Sequence, residues 1–293
     1  MKELIEKFIV KEGSEFSLKN FDPSYDANLN KEDVELNLSS LIKQTSELQT
    51  KLYASNNNAI LILFQGIDAS GKDSAIAHTL SGLNPQGCEV FSFKQPNNEE
   101  IGHDFLWRHY KSFPKFGRIG VHNRSYYENV LITKVHPELL KKEYLPELTD
   151  TTQIKDSFWE NRYNSIRNVE EHLSLNGTVI IKFFLHLSKN KQKERFLKRI
   201  NEPEKNWKFS VDDIYERNFW SEYMNAYELA IKKTATVHCP WYIIPADKKW
   251  FTRLAISTII LDTLKSLDLK FPKLTTLQRD NLTIAKKSLL NEP

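Results

Sequence analysis

Residues 65–74 read Gln65-Gly66-Ile67-Asp68-Ala69-Ser70-Gly71-Lys72-Asp73-Ser74 and follow directly on the apolar run Ala59 to Phe64. An apolar strand, a glycine-rich turn and a helix start, in that order, make a phosphate-binding loop. Gly66 and Gly71 stand five apart, with Lys72 next. The glycines let backbone N–H groups converge on phosphate oxygens with no Cβ in the way, and the helix N-terminus adds partial positive charge. Lys72 is placed to reach the outer phosphates. Gly66, Ala69, Ser70, Gly71, Asp73 and Ser74 are the expected cradle.

Two carboxylates are unusual there. Asp73 stands where Ser or Thr commonly offers a hydroxyl to Mg²⁺, and Asp68 lies inside the loop. Carboxylates beside a phosphate cradle repel a bare polyanion, so Asp68 and Asp73 read as Mg²⁺-linked. The plainer alternative is that Asp73 interacts with the helix N-terminus and Asp68 caps a turn.

The surrounding pattern supplies the elements that must hold this loop. Before it, Val34, Leu38, Leu41, Thr45, Leu48 and Leu52 recur at steps of three and four, one face of a helix running from Lys31 to before Asn56. That stripe fits packing on the domain or on a neighbouring subunit. Residues 1–30 read as an arm lying on the domain. After the loop, Cys88 to Lys94 reads as a second strand. A helix follows Pro96, carrying His103 to Arg108. Gly117 to His122 reads as a third strand, ending in Asn123-Arg124-Ser125-Tyr126-Tyr127-Glu128. Residues 134–155, with Pro137 and Pro146, read as a connection. A helix over Phe158 to Leu175 stops at Gly177, and a strand runs from Thr178 to Leu185. Asp212 to Lys233 reads as one long helix, Pro240 to Pro245 as a fifth strand, Trp250 to Leu267 as a closing amphipathic helix, and the tail after Pro272 as loosely held. Alternating strands and helices imply parallel βαβ units, with ligands at the strand carboxyl ends, where Asp68, Lys94 and Asn123 fall. The expected division is an arm and helix over 1–57, a phosphate-loop domain over 58–270 with a lid at about 190–220, and a tail over 271–293.

Between Lys182 and Lys208 there are nine Lys or Arg against three Glu. Lys191, Arg195 and Arg199 are spaced by four and form one cationic row on a helix; the ordinary alternative is a solvated face. A phosphate cradle, carboxylates suited to Mg²⁺ and a basic helix able to close over them point to phosphoryl transfer, which needs alignment and charge neutralisation above all. Lys72 would hold the transferred group, while Arg124 and the lid arginines would stabilise its spreading charge. A nucleotide phosphate as acceptor is already ionised and needs no general base. The histidines build no metal site by spacing: His103 and His109 lie on different helix faces, and His122 reads as a strand-end residue. Salt bridges are the default for Arg108, Arg217 and Lys248, and core packing for the six tryptophans.

Composition sets the bounds. The 293 residues suffice for one large α/β domain, and 40% hydrophobic with 27% charged residues is ordinary for a globular protein. A net charge of +3 gives no global field for nucleic acid. Cys88 and Cys239, far apart in sequence, fit reduced buried thiols. The acidic residues near Met1 and the short apolar segments fit neither a signal peptide nor a membrane span. The expectation is a cytoplasmic protein.

The ordered set of motifs resembles the polyphosphate kinase 2 family of polyphosphate:nucleotide phosphotransferases. The resemblance runs through Gly66 to Asp73, Asn84-Pro85-Gln86-Gly87, Ser92 to Pro96, His103 to Arg108, Asn123 to Glu128, Pro203 to Ser210 and Pro240 to Asp247. It implies a thymidylate kinase-like P-loop kinase fold: a parallel five-stranded sheet sandwiched by helices, with a helical lid. It also implies Mg²⁺ dependence and reversible transfer between inorganic polyphosphate and AMP, ADP or ATP. A long polyanion would rationalise Lys191, Arg195, Arg199, Lys205 and Lys208 as its contacts. Members assemble as dimers or tetramers, so a homodimer or homotetramer is implied. Many members have Asp where this chain has Asn123, which shifts neutralisation of Mg²⁺ to Asp68 and Asp73. Asn123 followed by Tyr and Glu128 is similar to the branch accepting both AMP and ADP. An ATP-dependent nucleoside monophosphate or small-molecule kinase is the competing reading on the same scaffold.

Overall fold

The computed structural model describes residues 2–13, 15–145 and 154–292. A short helix, α1 (Lys2–Glu6), and a two-residue strand, β1 (Ile9–Val10), lead to the long helix α2 (Lys31–Ser55). Asn30 starts α2 by accepting from Glu32 N at 2.9 Å, and Asn56 ends it in the left-handed region at φ 53°. Its buried stripe is Val34, Leu38, Leu41, Thr45, Gln49 and Leu52. Gln49 replaces the expected Leu48 in full burial because its amide bonds both the N–H and the carbonyl of Asn84.

Strand β2 (Ala59–Gln65) is buried at every residue, as a parallel strand covered on both faces must be. It feeds the glycine-rich loop and α3 (Lys72–Thr79). Then come β3 (Cys88–Ser92), α4 (Asn98–Ile101), α5 (Trp107–Tyr110), β4 (Ile119–Asn123) and α6 (Glu128–Val135). The single helix expected after Pro96 is two. Gly102 ends α4, and the Asp104 carboxylate starts a new turn by accepting from Leu106 N at 2.9 Å. The connection expected over 134–155 begins with the end of α6 and a 3₁₀ turn at Pro137–Glu143, and its residues 146–153 lie outside the described residues.

The second half runs α7 (Asp156–Leu175), β5 (Thr178–His186), α8 (Lys189–Asn201), α9 (Asp212–Glu216), α10 (Trp220–Thr234), β6 (Trp241–Pro245), α11 (Lys249–Ser266) and α12 (Thr276–Leu290). The long helix expected over 212–233 is broken by a 3₁₀ turn at Arg217–Phe219. There Arg217 donates to Lys189 O (2.8 Å) and Gln192 Oε1 (2.7 Å), which ties α8 to the break. Helix α11 is buried nearly all round, packed against α2 and α3, so it is a core helix and not an amphipathic one. The tail folds as α12, started by a Thr275/Gln278 capping box, with every described side chain on it exposed.

The sheet order is β1-β6-β5-β2-β4-β3. Strands β2 to β6 are mutually parallel, as expected. The expected five strands become six, because β1 pairs antiparallel with β6 (Ile9 opposite Tyr242, Val10 opposite Trp241) and covers that edge. Strand β2 sits between β4 and β5, so the chain returns to both sides of it. Its carboxyl end is the topological switch point where such sheets bind ligands.

Lys182, counted with the basic stretch in sequence, is a core residue. On β5 it is fully buried and donates to Glu170 Oε2 (2.6 Å), Thr234 O (2.8 Å) and Tyr127 Oη (3.1 Å). Tyr126 and Tyr127 donate to Glu170 Oε1 at 2.9 and 2.8 Å. All three ammonium protons have acceptors, so the buried pair is neutral as a unit and its polar groups are satisfied. This network locks α7 and α10 onto the sheet behind the loop. Among the described residues no helix is long and apolar enough to cross a membrane.

Candidate active site

The loop after β2 is shaped by three residues in the positive-φ half of backbone space: Gly66 (φ 152°), Ala69 (φ 62°) and Gly71 (φ 103°). A Cβ on Gly66 would lie 2.8 Å from Ser70 Oγ and 3.0 Å from Leu185 O, so only glycine fits. Ala69 carries the strain a non-glycine residue pays for that conformation. Ser70 Oγ is buried with no hydrogen-bond partner. Gly71 then caps α3, whose first residue is Lys72.

Lys72 is buried, and its ammonium donates back into the loop, to Gly66 O at 2.6 Å and Ile67 O at 3.2 Å. Burial, reinforced by the nearby Arg124 charge and opposed by Asp68, Glu128 and Asp73, brings its pKa down to about 8. The side chain is thus held beneath the cradle by two carbonyls, at a cost in charge stabilisation that an incoming phosphate would relieve.

Strand β4 delivers the second half of the site. Asn123 Nδ2 donates to Asp73 Oδ1 at 2.8 Å, while Asn123 Oδ1 is buried with no partner. Arg124 takes a left-handed conformation (φ 64°), with its N–H on Phe64 O, turning the chain across the end of β2. Its guanidinium bonds Asp68 at 2.8 Å and lies 4.0 Å from Glu128. The Glu128 charge, ahead of that of Asp68, strengthens the guanidinium's hold on its proton. Glu128 is fixed in turn by the Gln65 amide, which donates to it at 2.9 Å when oriented to satisfy Ser125 at its other end.

A cavity of about 120 Å³ opens beside the loop. One wall is Gly66, Ile67, Asp68, Arg124 and Glu128; the other is Gln192, Asp213, Glu216, Arg217, Trp220, Tyr223 and Tyr227. Burial and the Asp68 charge push the Asp213 carboxyl up. Sequence reasoning had missed the second wall. Its signal was visible, since Trp220, Tyr223 and Tyr227 fall at steps of three and four, but that spacing reads equally well as packing.

The basic stretch does not form a free rail. Lys191 pairs with Glu194 at 2.5 Å and Arg199 with Asp213 at 3.3 Å, while Lys205 pairs with Glu202. Arg195 donates to Ala69 O (2.7 Å), Ser70 O (2.9 Å) and Ala246 O (2.5 Å), so it braces the loop from behind. Replacing the row would loosen the loop as well as remove charge. Lys208 lies 4.8 Å from the Trp207 ring, Ser74 Oγ accepts from Arg253 at 3.2 Å, and Lys94 is exposed and does not line the cavity. Arg108 and Lys248 make ion pairs as expected, with Glu100 and Asp26; Arg217 instead holds a carbonyl and an amide. His122 is buried among Phe91, Phe93 and Phe113, with Ser112 on Nε2, and burial takes its pKa down to about 4.

The residues present suit Mg²⁺. Among the described residues no group of three or more His, Cys, Asp or Glu could hold a metal alone. Asp68, Asp73 and the unpartnered Asn123 amide oxygen are hard oxygen donors at the rim of a phosphate cradle. Mg²⁺ characteristically takes one or two carboxylates and completes its shell with water and substrate phosphate.

Comparison with known proteins agrees with this geometry. A relative from Rhodopseudomonas palustris is 49% identical, matched over 99% of this chain and 100% of its own, and is named ADP-polyphosphate phosphotransferase. One from Meiothermus ruber, 37% identical over 92% of this chain and 96% of its own, is named AMP/ADP-polyphosphate phosphotransferase. The crystal structure of polyphosphate kinase 2 from Arthrobacter aurescens TC1 superposes with a TM-score of 0.86 at 36% identity, covering 96% of each chain. The sequence pattern of Polyphosphate kinase 2 matches residues 28–272, and with it the P-loop kinase-like fold and the site at its switch point place this chain in the polyphosphate kinase 2 family.

Proposed function

We propose that this enzyme, a polyphosphate:nucleotide phosphotransferase, moves a phosphoryl group reversibly between inorganic polyphosphate and AMP or ADP, in a Mg²⁺-dependent reaction. The observation that carries the reading is Lys72, a buried ammonium held by two loop carbonyls; in the proposed mechanism it turns to the substrate when phosphate enters. The N–H groups of the loop and of the first turn of α3 receive the phosphate oxygens. Arg124, aimed by Asp68 and Glu128, faces the charge that spreads over the transferred group. Asp68 and Asp73, with Asn123 beside them, would hold Mg²⁺, which neutralises phosphate charge and orients the two substrates.

The acceptor nucleoside belongs in the cavity. Trp220, Tyr223 and Tyr227 offer aromatic surface, and Arg124 and Arg217 offer charge to its phosphate. Its phosphate is already ionised, so no general base is required. Glu128 on the Arg124 side supports use of AMP as well as ADP, in keeping with the Meiothermus relative's name. Closure of the segment at about 190–220 would exclude water, and assembly into a dimer or tetramer belongs to the same proposal.

The test is turnover with long-chain polyphosphate and ADP across a Mg²⁺ titration, in the wild type and in Lys72→Ala and Asp68→Asn. Loss of at least about a hundredfold in kcat is expected in each variant. Retained turnover in both would remove these residues from the mechanism.

A further inference from the structure

Helix α6 joins the two walls of the cavity. Glu128, Ile132 and the capping residue His136 stand four apart, on one face of that helix. Glu128 at its start lies 4.0 Å from Arg124 on the loop wall, and Ile132 lines the cavity. His136 at its end reaches the other wall, with Nε2 at 2.9 Å from Glu216 Oε2. An ionised carboxylate only accepts, so that nitrogen carries the proton. The imidazole is buried, with Phe219 edge-on at 4.8 Å and Tyr223 at 6.3 Å, and its Nδ1 lies 3.4 Å from the Glu138 carboxylate. Tyr223 Oη donates to the same Glu216 oxygen at 2.6 Å. Burial, then the bond to Glu216, raise the phenol's pKa, so Tyr223 stays a donor.

Two donors thus fix Glu216 through one oxygen. Among the described residues its Oε1 has no hydrogen-bond partner, and no Lys or Arg pairs with it. The other carboxylates of the cavity are matched by arginine: Asp68 and Glu128 by Arg124, and Asp213 by Arg199. Glu216 sits at the end of α9, directly before the 3₁₀ break that leads to Trp220 and Tyr223. A carboxylate with one oxygen clamped and the other open, on a wall of aromatic rings, suits a neutral group that donates hydrogen bonds.

Resting on the proposed place of the acceptor nucleoside, we infer that Glu216 binds its ribose, with His136 and Tyr223 as positioning residues. Arg217, the next residue in the chain, lines the same cavity and is offered to the phosphate, while the aromatic side chains are offered to the base. A carboxylate beside that cation meets the unit between phosphate and base. The vicinal hydroxyls of ribose are two donors close together, the pattern a carboxylate accepts. The site therefore selects ribonucleotides over their 2′-deoxy counterparts.

The experiment compares ADP with 2′-deoxy-ADP in the wild type, Glu216→Ala and Glu216→Gln, by calorimetry with Mg²⁺ and by kcat/KM with long-chain polyphosphate as donor. The wild type should favour ADP by at least about tenfold, the worth of one hydrogen bond to a charged group. Glu216→Ala should bring the two nucleotides to within about twofold of each other, and Glu216→Gln, whose amide oxygen still accepts, should keep part of the preference. His136→Ala should raise KM for ADP and leave KM for polyphosphate unchanged; His136→Gln, with an amide donor in place of Nε2, should restore it. A wild type that binds both nucleotides equally, or a Glu216→Ala variant that keeps the full preference, overturns the inference. So does a preference for ADP over inosine diphosphate that Glu216→Ala abolishes while the 2′-hydroxyl preference stays, since the carboxylate then faces the base. If the wild type turns over neither nucleotide, the phosphotransferase reading fails instead, and the calorimetric comparison still decides whether Glu216 reads the ribose. The wild-type comparison needs no variant, so misfolding cannot shield the inference.

Discussion

Occupation of the cradle should be coupled to protonation of Lys72. In the free protein its pKa is about 8, lowered chiefly by burial. A phosphate against the ammonium favours the charged form and returns the pKa to at least its ordinary value near 10.4. At pH 7 the free side chain is about nine-tenths protonated, and binding takes up about 0.1 proton; at pH 9 the fraction is reversed and uptake is about 0.9. The sign follows: the cationic form binds, so affinity is full below about pH 7 and is lost as pH rises through 8. Between pH 7 and 9 the loss is about tenfold, or about 1.4 kcal/mol. The last titration of a terminal phosphate lies near pH 6, outside this window. Calorimetry of tripolyphosphate binding in buffers of contrasting ionisation enthalpy reads the uptake directly. Lys72→Met should abolish it. Uptake below about 0.2 at pH 9, or an affinity flat from pH 7 to 9, would show that Lys72 is not the group receiving phosphate.

Three further outcomes follow from the structure. Glu170→Gln leaves Lys182 charged and unpaired in the core, so urea denaturation should show a loss of about 3–5 kcal/mol, and a loss under about 1 would refute a buried ion pair there. Gly66→Ala must displace Ser70 or the Leu185 carbonyl; kcat/KM should fall about a hundredfold, and a variant with wild-type kinetics would contradict the close packing of the loop. His109 and His122, lowered by burial to about 2 and about 4, stay neutral when folded, so their contribution is intact above the unfolded pKa near 6.5 and declines as pH falls toward 4. Stability at pH 5 should be about 4 kcal/mol below that at pH 8 from this pair, and His122→Gln should remove about half of that dependence; an unchanged slope in the variant would assign it elsewhere.

The loop was legible in sequence because its chemistry is local. Two glycines, a lysine and an apolar strand leave few alternative readings, and Asp68, Asn123 and Arg124 fall at strand ends set by the same alternation. The parallel pairing of the main strands followed from the βαβ pattern, but their order and β1 did not, since two residues carry no periodicity and their pairing depends on an edge that only the fold creates. Lys182 misled for a related reason. Its partner Glu170 lies twelve residues away on another element, so a buried pair is indistinguishable in sequence from surface charge. Arg195 shows the same limit within the site: its four-residue spacing from Lys191 and Arg199 was correct as helical geometry, while its acceptors, backbone carbonyls of the loop, leave no trace in side-chain identity. The aromatic wall of the cavity, Trp220, Tyr223 and Tyr227, escaped the sequence reading because the same three- and four-residue spacing means packing on most helices.

The central claim is tested most directly by supplying the purified protein with AMP, Mg²⁺ and long-chain polyphosphate as the sole phosphoryl donor, then repeating with ADP, and following products by chromatography. The account predicts ADP and ATP from the first reaction and ATP from the second. No product from either, with turnover restored when ATP is the donor to AMP, would contradict it.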